Sequence, residues 1–102
     1  MDMSAERFHV KDRIVRSNEL LASDMNGEKV LMSVKNGKYY NLGTIGGRIW
    51  ELIERPASME RIVETLLEEF SVDESACLAQ VTAFMTHLHR ESLVQRFDVD
   101  SE

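Results

Sequence analysis

Residues 26–42 of the chain read NGEKVLMSVKNGKYYNL, and this stretch is the basis of the predicted architecture. It holds two Asn-Gly pairs, Asn26-Gly27 and Asn36-Gly37, and Asn-Gly is a preferred sequence for the type I′ turn that joins two antiparallel strands. Between the pairs lies Lys29–Val34, in which three apolar residues alternate along one face: Val30, Met32 and Val34. This period of two predicts a half-buried strand between two hairpin turns.

Two more strands flank the central one. Leu20–Met25 precedes the first turn and Lys38–Leu42 follows the second, so two consecutive hairpins predict a three-stranded antiparallel meander. Arg13–Arg16 is expected to add a short extra strand ahead of the meander.

Beyond Leu42 the apolar residues recur every three or four positions, which predicts helices. The first helix is expected over Thr44–Glu54, because Arg55-Pro56 disfavours its continuation. Ser58 can cap a second helix, whose predicted buried stripe consists of Ile62, Val63, Leu66, Leu67 and Phe70.

A third helix is expected to begin between Ser71 and Asp73 and to run to about Glu91. Ser71-x-x-Glu74 fits the capping-box pattern, but Asp73 is an equally suitable cap, so the sequence leaves both open. Leu93-Val94 is predicted to form a short docking segment after the helix.

The predicted fold class is α+β, with a three-stranded antiparallel β-meander followed by three α-helices. These are the parts of a winged helix-turn-helix domain, here with the sheet placed first. The 102 residues suit a single domain. We expect an N-terminal extension at residues 1–18, a folded domain at residues 19–94 and an acidic C-terminal tail at residues 95–102.

The distribution of charge argues against nucleic acid as a partner. The formal net charge is −6, with nine Lys/Arg against eight Asp/Glu in residues 1–56 and three against ten in residues 57–102. The third helix of a helix-turn-helix protein reads the DNA, and here Arg90 is its only Lys or Arg. Because phosphate binding needs clustered cations, a winged-helix DNA-binding regulator is the less favoured alternative.

No set of residues predicts catalysis, a cofactor or a metal site. Cys77 would need a base, and His87 lies ten residues further along the same predicted helix, about 15 Å away. His87 and His89 point to different sides of a helix and cannot share a metal ion. Gly43–Gly47 matches neither a P-loop nor a dinucleotide-binding fingerprint. We therefore predict that the protein is not an enzyme and binds no metal or cofactor.

The compartment is predicted from cysteine content and hydrophobicity. A single cysteine permits no internal disulfide and favours a reducing cytosol. Met1–Val10 lacks the apolar stretch of a signal peptide, and no run approaches the roughly 20 apolar residues of a membrane span. We expect a cytoplasmic protein with no membrane contact.

The third predicted strand, Lys38–Leu42, has one unpaired side unless another element covers it. Soluble proteins usually protect such an edge with prolines, bulges or charges, and Lys38 is its single charge. An open edge that carries tyrosines can accept an extended peptide as an additional strand. The side chains of Tyr40 and Leu42 themselves are expected to face the core.

The third helix carries an apolar arc that is wider than one small core contact needs. Its centre is formed by Cys77, Val81, Phe84 and Leu88. Met85 widens one flank, and Gln80 and His87 lie on the other. A groove between this helix and the edge strand would have apolar walls and a hydrogen-bonding rim, although core packing is the default role of each single residue.

Four runs of residues carry a resemblance to a known family. They are Asn36–Gly43 (NGKYYNLG), Gly47–Ile53 (GRIWELI), Ile62-Val63 and Val81–Leu88 (VxxFMxxL). In this order they resemble PqqD-type proteins, also called RiPP recognition elements, over about residues 19–94. The YYNL and IWELI portions are similar to the stand-alone members of lasso-peptide biosynthesis.

The resemblance implies a winged-helix-like fold and a non-catalytic role. Family members bind the leader of a ribosomally synthesised precursor peptide, which adds as a strand beside the third strand and lies against the third helix. Carried over to matching positions, the implied leader-binding residues are Lys38, Tyr39, Tyr40, Asn41, Leu42, Gln80, Val81, Phe84, Met85 and Leu88.

The resemblance also implies partners. These are the precursor leader peptide, a separate leader-cleaving cysteine protease and an ATP-dependent cyclase. A peptide chaperone in the synthesis of a PQQ-type cofactor stays open as an alternative. The chain departs from the family pattern at Gly43, where relatives often have Asn, and at Ser92, where they often have Gly; both departures bear on where helices begin and end.

Overall fold

The computed structural model describes residues 11–97. Its elements follow in the order β1 (Arg13–Arg16), β2 (Leu20–Met25), β3 (Glu28–Ser33), β4 (Tyr39–Leu42), α1 (Gly43–Leu52), β5 (Ala57–Ser58), α2 (Met59–Glu69), α3 (Glu74–Arg90) and β6 (Val94–Phe97). The predicted α+β class, a meander followed by three helices, is confirmed.

The main sheet is antiparallel and has the strand order β2-β3-β4. Leu21 on β2 is opposite Met32 on β3, which is in turn opposite Tyr39 on β4. The connection between β2 and β3 is the two-residue turn predicted from Asn26-Gly27. Both residues have positive φ, 55° and 84°, as a type I′ turn requires.

The connection between β3 and β4 differs from its prediction as a second type I′ turn. Of its residues, Gly37 alone has a positive φ (71°), and the chain passes through Val34–Gly37 before it reaches Lys38. The Gly37 N–H donates to Ser33 O at 2.8 Å, and the Asn36 side chain accepts from the Lys38 N–H at 2.9 Å. These local hydrogen bonds stabilise a wider turn than two residues would make.

The buried face of β3 is the opposite of the predicted one. Leu31 is fully buried under α1 and Ser33 is buried beside it, whereas Val30 and Met32, on the predicted inner face, are half-buried. Val34, which directly follows β3, is 57% exposed. The inner face also carries Lys29, whose Cβ would lie 2.9 Å from a Cβ at Gly47. The apolar stem of Lys29 thus covers α1 while its Nζ reaches Asp24 Oδ1 at 2.9 Å. The apolar alternation did not indicate this face, because one of its members is a lysine, whose apolar stem can pack while its charge stays in water.

A second antiparallel sheet has the order β5-β1-β6, so the predicted extra strand Arg13–Arg16 is present and lies at its centre. Ile14 on this strand is fully buried. Strand β6 continues to Phe97, and the prediction of a tail from residue 95 is corrected, because pairing with β1 holds these residues in a strand.

The outermost parts of the predicted extension and tail, residues 1–10 and 98–102, lie outside the described residues. His9 and the last acidic residues belong to these segments. The division into an extension, a domain and a tail therefore stays a prediction beyond the correction at residues 95–97.

Side-chain caps set the starts of the second and third helices. The Ser58 Oγ accepts from the Arg61 N–H at 3.0 Å, as predicted for α2. Asp73 Oδ2 accepts from the Ala76 N–H at 3.1 Å, which decides between the two possible caps of α3. This backbone hydrogen bond, with a further one from the Ser75 hydroxyl, lowers the pKa of Asp73 below its ordinary value.

The core lies between the helices and the inner faces of the two sheets. Its fully buried large side chains are Ile14, Leu31, Ile53, Met59, Ile62, Leu66, Met85, Leu88, Leu93 and Val94. Arg16 caps one end of this core, with its guanidinium 5.0 Å from the centre of the Trp50 ring and its Nε donating to Trp50 O at 2.9 Å. At another end, Arg48 pairs with Glu69 at 2.8 Å and so joins α1 to α2.

Candidate peptide-binding site

Strand β4 lies at an edge of the main sheet, and no strand within residues 11–97 pairs with its outer side. The Ser33 N–H donates to Lys38 O at 2.9 Å, so the backbone of Lys38 points toward β3. Antiparallel strands alternate such residues with residues whose backbone groups point away. By this alternation Tyr40 points toward β3, and Tyr39 and Asn41 direct their N–H and C=O groups to the open side.

The side chains of β4 divide between the two faces of the sheet. Tyr39 lies on the outer face and is 72% exposed, and Asn41 on the same face donates through Nδ2 to Glu28 Oε1 at 2.9 Å. Tyr40 and Leu42 lie on the inner face and are half-buried against the core, as the sequence predicted for these two side chains. The strand therefore offers its backbone, rather than a row of buried side chains, along the open edge.

Helix α3 carries five of the predicted leader-binding residues. Three of them line one cavity: Gln80, which is exposed, Phe84, and Val81, which is 3% exposed. Met85 and Leu88 do not line this cavity and are core side chains with at most 1% of their surface exposed. A role of these residues in leader binding stays a prediction.

An apolar cavity of about 200 Å³ opens between the three helices at the end of β4. It is lined by Leu42, Ile45, Gly46, Ile49, Leu66, Phe70, Val72, Cys77, Gln80, Val81 and Phe84. Gln80 is the polar side chain in this lining, so a ligand here would meet apolar walls and one amide that can donate and accept hydrogen bonds.

The side of this cavity next to β4 depends on a glycine. A Cβ at Gly46 would lie 3.0 Å from Phe84 Cζ and 3.0 Å from Leu42 Cβ. The absence of a side chain thus lets the Phe84 ring pack onto α1 next to the last residue of the edge strand.

The sequence-based interpretation missed the part of the cavity formed by Ile45, Phe70 and Val72. Ile45 and Val72 keep 42% and 40% of their surface exposed, although both are apolar. Their position in the sequence could have indicated this. Ile45 and Val72 each lie next to a helix end, where an apolar side chain has few neighbours on its own helix. Phe70 ends α2 and had been predicted as part of its buried stripe.

A second missed residue, Glu91, connects α3 to β4. The Tyr40 hydroxyl donates to Glu91 Oε1 at 2.8 Å, and Lys38 Nζ lies 3.8 Å from the same oxygen. Burial raises the pKa of Tyr40, and the Glu91 carboxylate raises it further. The hydrogen bond from Tyr40 lowers the pKa of Glu91, with Lys38 adding to the shift.

One thiol, that of Cys77, lies in the lining of the cavity. Burial raises the pKa of the Cys77 thiol, which disfavours the reactive thiolate. Within residues 11–97, no three His, Cys, Asp or Glu side chains group closely enough to hold a metal ion. Over the same residues, every helix is too short or too polar to cross a bilayer.

The chain is similar to known proteins over most of its length. The family model described as coenzyme PQQ synthesis protein D (PqqD) matches residues 28–94. The structure of TbiB1 in complex with the TbiA(beta) leader peptide is similar, with a TM-score of 0.74, 27% identity, and coverage of 82% of this chain and 98% of that one. A search of curated proteins found no match.

A second solved structure has the same fold at lower identity. It is the solution structure of the PqqD truncation of Methylobacterium extorquens PqqCD, described as a functional and stand-alone RiPP recognition element. The TM-score is 0.76 and the identity 14%, with coverage of 92% of this chain and 100% of that one.

Proposed function

Because the chain belongs to the PqqD family, we propose that it binds the leader of a ribosomally synthesised precursor peptide and presents it to processing enzymes. One observation carries the proposal: β4 has an open side, and its last residue, Leu42, lines an apolar cavity between α1, α2 and α3. An extended peptide suits both features, since its backbone can pair with the strand while its side chains enter the cavity.

The backbone of β4 provides register and much of the affinity in this proposal. Tyr39 and Asn41 direct their N–H and C=O groups outward, so a leader strand can bond to both residues. Such bonds do not depend on the leader's side chains, and they require the leader to be extended. Lys38 and Tyr39 are exposed at the start of the strand and are available to contact leader side chains.

Specificity then comes from the cavity. Its volume of about 200 Å³ has room for one bulky apolar side chain of the leader. Phe84 and Val81 would contact that side chain, and Gln80 at the rim would bond to the leader backbone. The complex of TbiB1 with its leader peptide supports this class of ligand, because TbiB1 is 27% identical to this chain.

The module acts as an adaptor and performs no bond chemistry itself. By holding the leader, it raises the concentration of the precursor near its partners, which need no strong contact of their own with the leader. We propose that these partners are a separate leader-cleaving cysteine protease and an ATP-dependent cyclase of lasso-peptide biosynthesis. The proposed place of action is the cytoplasm, where the precursor is synthesised.

Fluorescence anisotropy with labelled leader peptides tests this function. The probes are the fluorescein-labelled TbiA(beta) leader and the leaders of precursor genes found near the gene for this chain. We expect saturable binding to at least one leader, competed by the unlabelled leader and not by a scrambled peptide of the same composition. Flat titrations with every leader would argue against the proposal.

A second candidate function is that of a peptide chaperone in PQQ-type cofactor synthesis. The description of the matching family model favours it. The same assay separates the two candidates when the precursor peptide of that cofactor is added to the panel, since each function predicts tighter binding of its own precursor. A DNA-binding regulator is disfavoured by Asp73 and Glu74 at the start of α3, and a salt-dependent mobility shift of duplex DNA would favour it.

A further inference from the structure

The two walls of the proposed peptide site are joined at one end by side chains. Tyr40 belongs to β4, and Glu91 is the first residue after α3, 51 positions later in the sequence. The Tyr40 hydroxyl donates to Glu91 Oε1 at 2.8 Å. This bond spans the gap between the edge strand and the end of the helix.

Both partners are held in place by their own neighbours. Glu91 caps α3, with its N–H donating to His87 O at 3.1 Å, and the chain leaves the helix at once through Ser92, whose φ is 65°. On the other wall, Asn36 Nδ2 donates to the Tyr40 hydroxyl at 3.4 Å. The bond therefore connects two points that are fixed relative to their own elements.

The hydrogen bond between Tyr40 and Glu91 belongs to a strong class, because its acceptor is charged. A carboxylate that accepts from a hydroxyl makes a shorter and stronger hydrogen bond than two neutral groups. Lys38 Nζ, 3.8 Å from the same carboxylate oxygen, adds a second attraction between β4 and Glu91. Tyr40 and Glu91 are both half-buried, which reduces competition from water.

We propose that Glu91 is a positioning residue for the peptide site: through Tyr40 and Lys38 it fixes the distance between β4 and the end of α3, and hence the width of the groove. This inference rests on the proposed leader-binding function. A leader strand that pairs with β4 must also fit against α3, so a groove of fixed width favours binding by reducing what the peptide has to rearrange.

The proposal predicts a pH dependence of leader affinity. Tyr40, Lys38 and His87 each act on the Glu91 carboxylate, and Asn36 donates to the Tyr40 hydroxyl. Protonation of Glu91 removes the attraction of Lys38 and weakens the bond from Tyr40. The affinity should therefore hold at neutral pH and fall on acidification through the carboxyl range, below about pH 4.

Four variants test the proposal with the leader that the wild-type protein binds best as the labelled probe. Tyr40→Phe removes the donor, Glu91→Ala removes the acceptor, and Glu91→Gln keeps an acceptor without the charge. We expect Kd to rise about fivefold to tenfold in Tyr40→Phe and Glu91→Ala, as for one partly exposed charged hydrogen bond. Glu91→Gln should lie between these and the wild type, and Tyr40→Phe/Glu91→Ala should be no worse than Glu91→Ala.

A matched control and a second readout complete the experiment. Glu64→Ala, on the exposed side of α2, removes the same charge and should leave Kd unchanged. Glu91→Gln should also lose the acid-range change in affinity that the wild type has. Kd values within twofold of the wild type in Tyr40→Phe and Glu91→Ala would overturn the proposal, even if the unfolding midpoints fell, since this would indicate a stabilising role alone.

Hydrogen exchange separates failure of this inference from failure of the proposed function. If the wild type bound no leader, the proposed function would fail, and the exchange of the Tyr40 and Leu42 amides would test the link on its own. Faster exchange in Tyr40→Phe and Glu91→Ala than in Glu64→Ala would support a link that holds β4 in place. Equal exchange in all three would overturn it.

Discussion

The ring of Phe84 packs so closely onto Gly46 that a side chain at position 46 would require the ring to shift. A Cβ there would lie 3.0 Å from Phe84 Cζ, whereas carbon atoms in favourable contact are about 3.5–4.0 Å apart. Phe84 lines the apolar cavity, and Gly46 lies one helical turn after Leu42, the last residue of β4. This contact therefore joins the cavity to the edge strand.

Gly46→Ala should weaken leader binding more than it weakens the fold. The new methyl group would displace the Phe84 ring toward the cavity, and the ring would then fill part of the volume that a leader side chain would occupy. Overpacking costs about 1–3 kcal/mol, and the better helix propensity of Ala returns up to about 1 kcal/mol. We expect Kd to rise about tenfold, equivalent to about 1.4 kcal/mol, in the anisotropy assay, with a smaller change in the free energy of unfolding.

Gly47→Ala is the matched control. A Cβ at this neighbouring position would lie 2.9 Å from Lys29 Cβ, and Gly47 is not part of the cavity lining. It should therefore lower the free energy of unfolding by about 1–3 kcal/mol and leave Kd for the leader nearly unchanged. Equal losses of affinity in the two variants would contradict the role of the cavity.

Asn41→Pro should weaken leader binding while the sheet stays intact. Its N–H points to the open side of β4, so proline removes a donor that the leader would use and none that β3 uses. We expect Kd to rise at least about tenfold, equivalent to about 1.4 kcal/mol. Anisotropy measures the affinity, and urea denaturation checks the fold.

Two further variants show whether the loss of affinity comes from the backbone N–H of residue 41. Asn41→Ala loses the two side-chain bonds that Asn41→Pro also loses, to Glu28 Oε1 and from the Gly43 N–H, but it keeps the N–H of residue 41. It should bind the leader nearly as the wild type does. Tyr40→Pro places proline where the backbone faces β3 and should lower the free energy of unfolding more than Asn41→Pro does, because it removes a ladder hydrogen bond. An Asn41→Pro protein that folds and binds with unchanged Kd would rule out strand addition at β4.

Much of the fold could be predicted from local signals. Asn26-Gly27 and the change of apolar period after Leu42 predicted the meander and the three helices, because turn residues and periodicity act over a few positions. The Asn36-Gly37 turn could not be predicted in detail, because the side chains of Ser33 and Asn36 compete with the two-residue turn. Local hydrogen bonds of this kind depend on geometry that the sequence pattern does not contain.

The site was predictable for the edge strand and less so for the helix. Lys38–Leu42 was predicted to be an edge strand because it is the last strand of a meander with two turns. The burial of Met85 and Leu88 could not be predicted, because the apolar arc of α3 serves both core and cavity and a helical wheel does not show which part faces which. Glu91 was missed because its partner Tyr40 is distant in sequence and neither residue belongs to a local pattern.

The two faces of β3 should respond differently to substitution. Leu31 is fully buried, so Leu31→Ala should lower the free energy of unfolding by about 2–5 kcal/mol. Val34, directly after β3, is 57% exposed. Val34→Thr should change the free energy of unfolding by no more than about 0.5 kcal/mol. Urea denaturation measures both. A larger loss of unfolding free energy from Val34→Thr than from Leu31→Ala would contradict the observed buried face. It would support the face that the alternation of Val30, Met32 and Val34 predicted.

The cap of α3 should make part of the stability depend on pH. Hydrogen bonds from the Ala76 N–H and the Ser75 hydroxyl lower the pKa of Asp73 in the folded state. The ionised form therefore stabilises the fold above the unfolded value of about 3.9, and this contribution is lost as the pH falls through the folded value. Asp73→Asn keeps an oxygen that can accept from Ala76 but does not titrate.

Urea denaturation of both proteins at a series of pH values measures this contribution. The wild type should exceed Asp73→Asn in stability at pH 7, and the difference should shrink as the pH falls below about 4. Other carboxylates, such as Glu69 beside Arg48, titrate in both proteins and cancel in the comparison. A difference that stayed constant over the whole range would mean that the charge of Asp73 does not contribute to the cap.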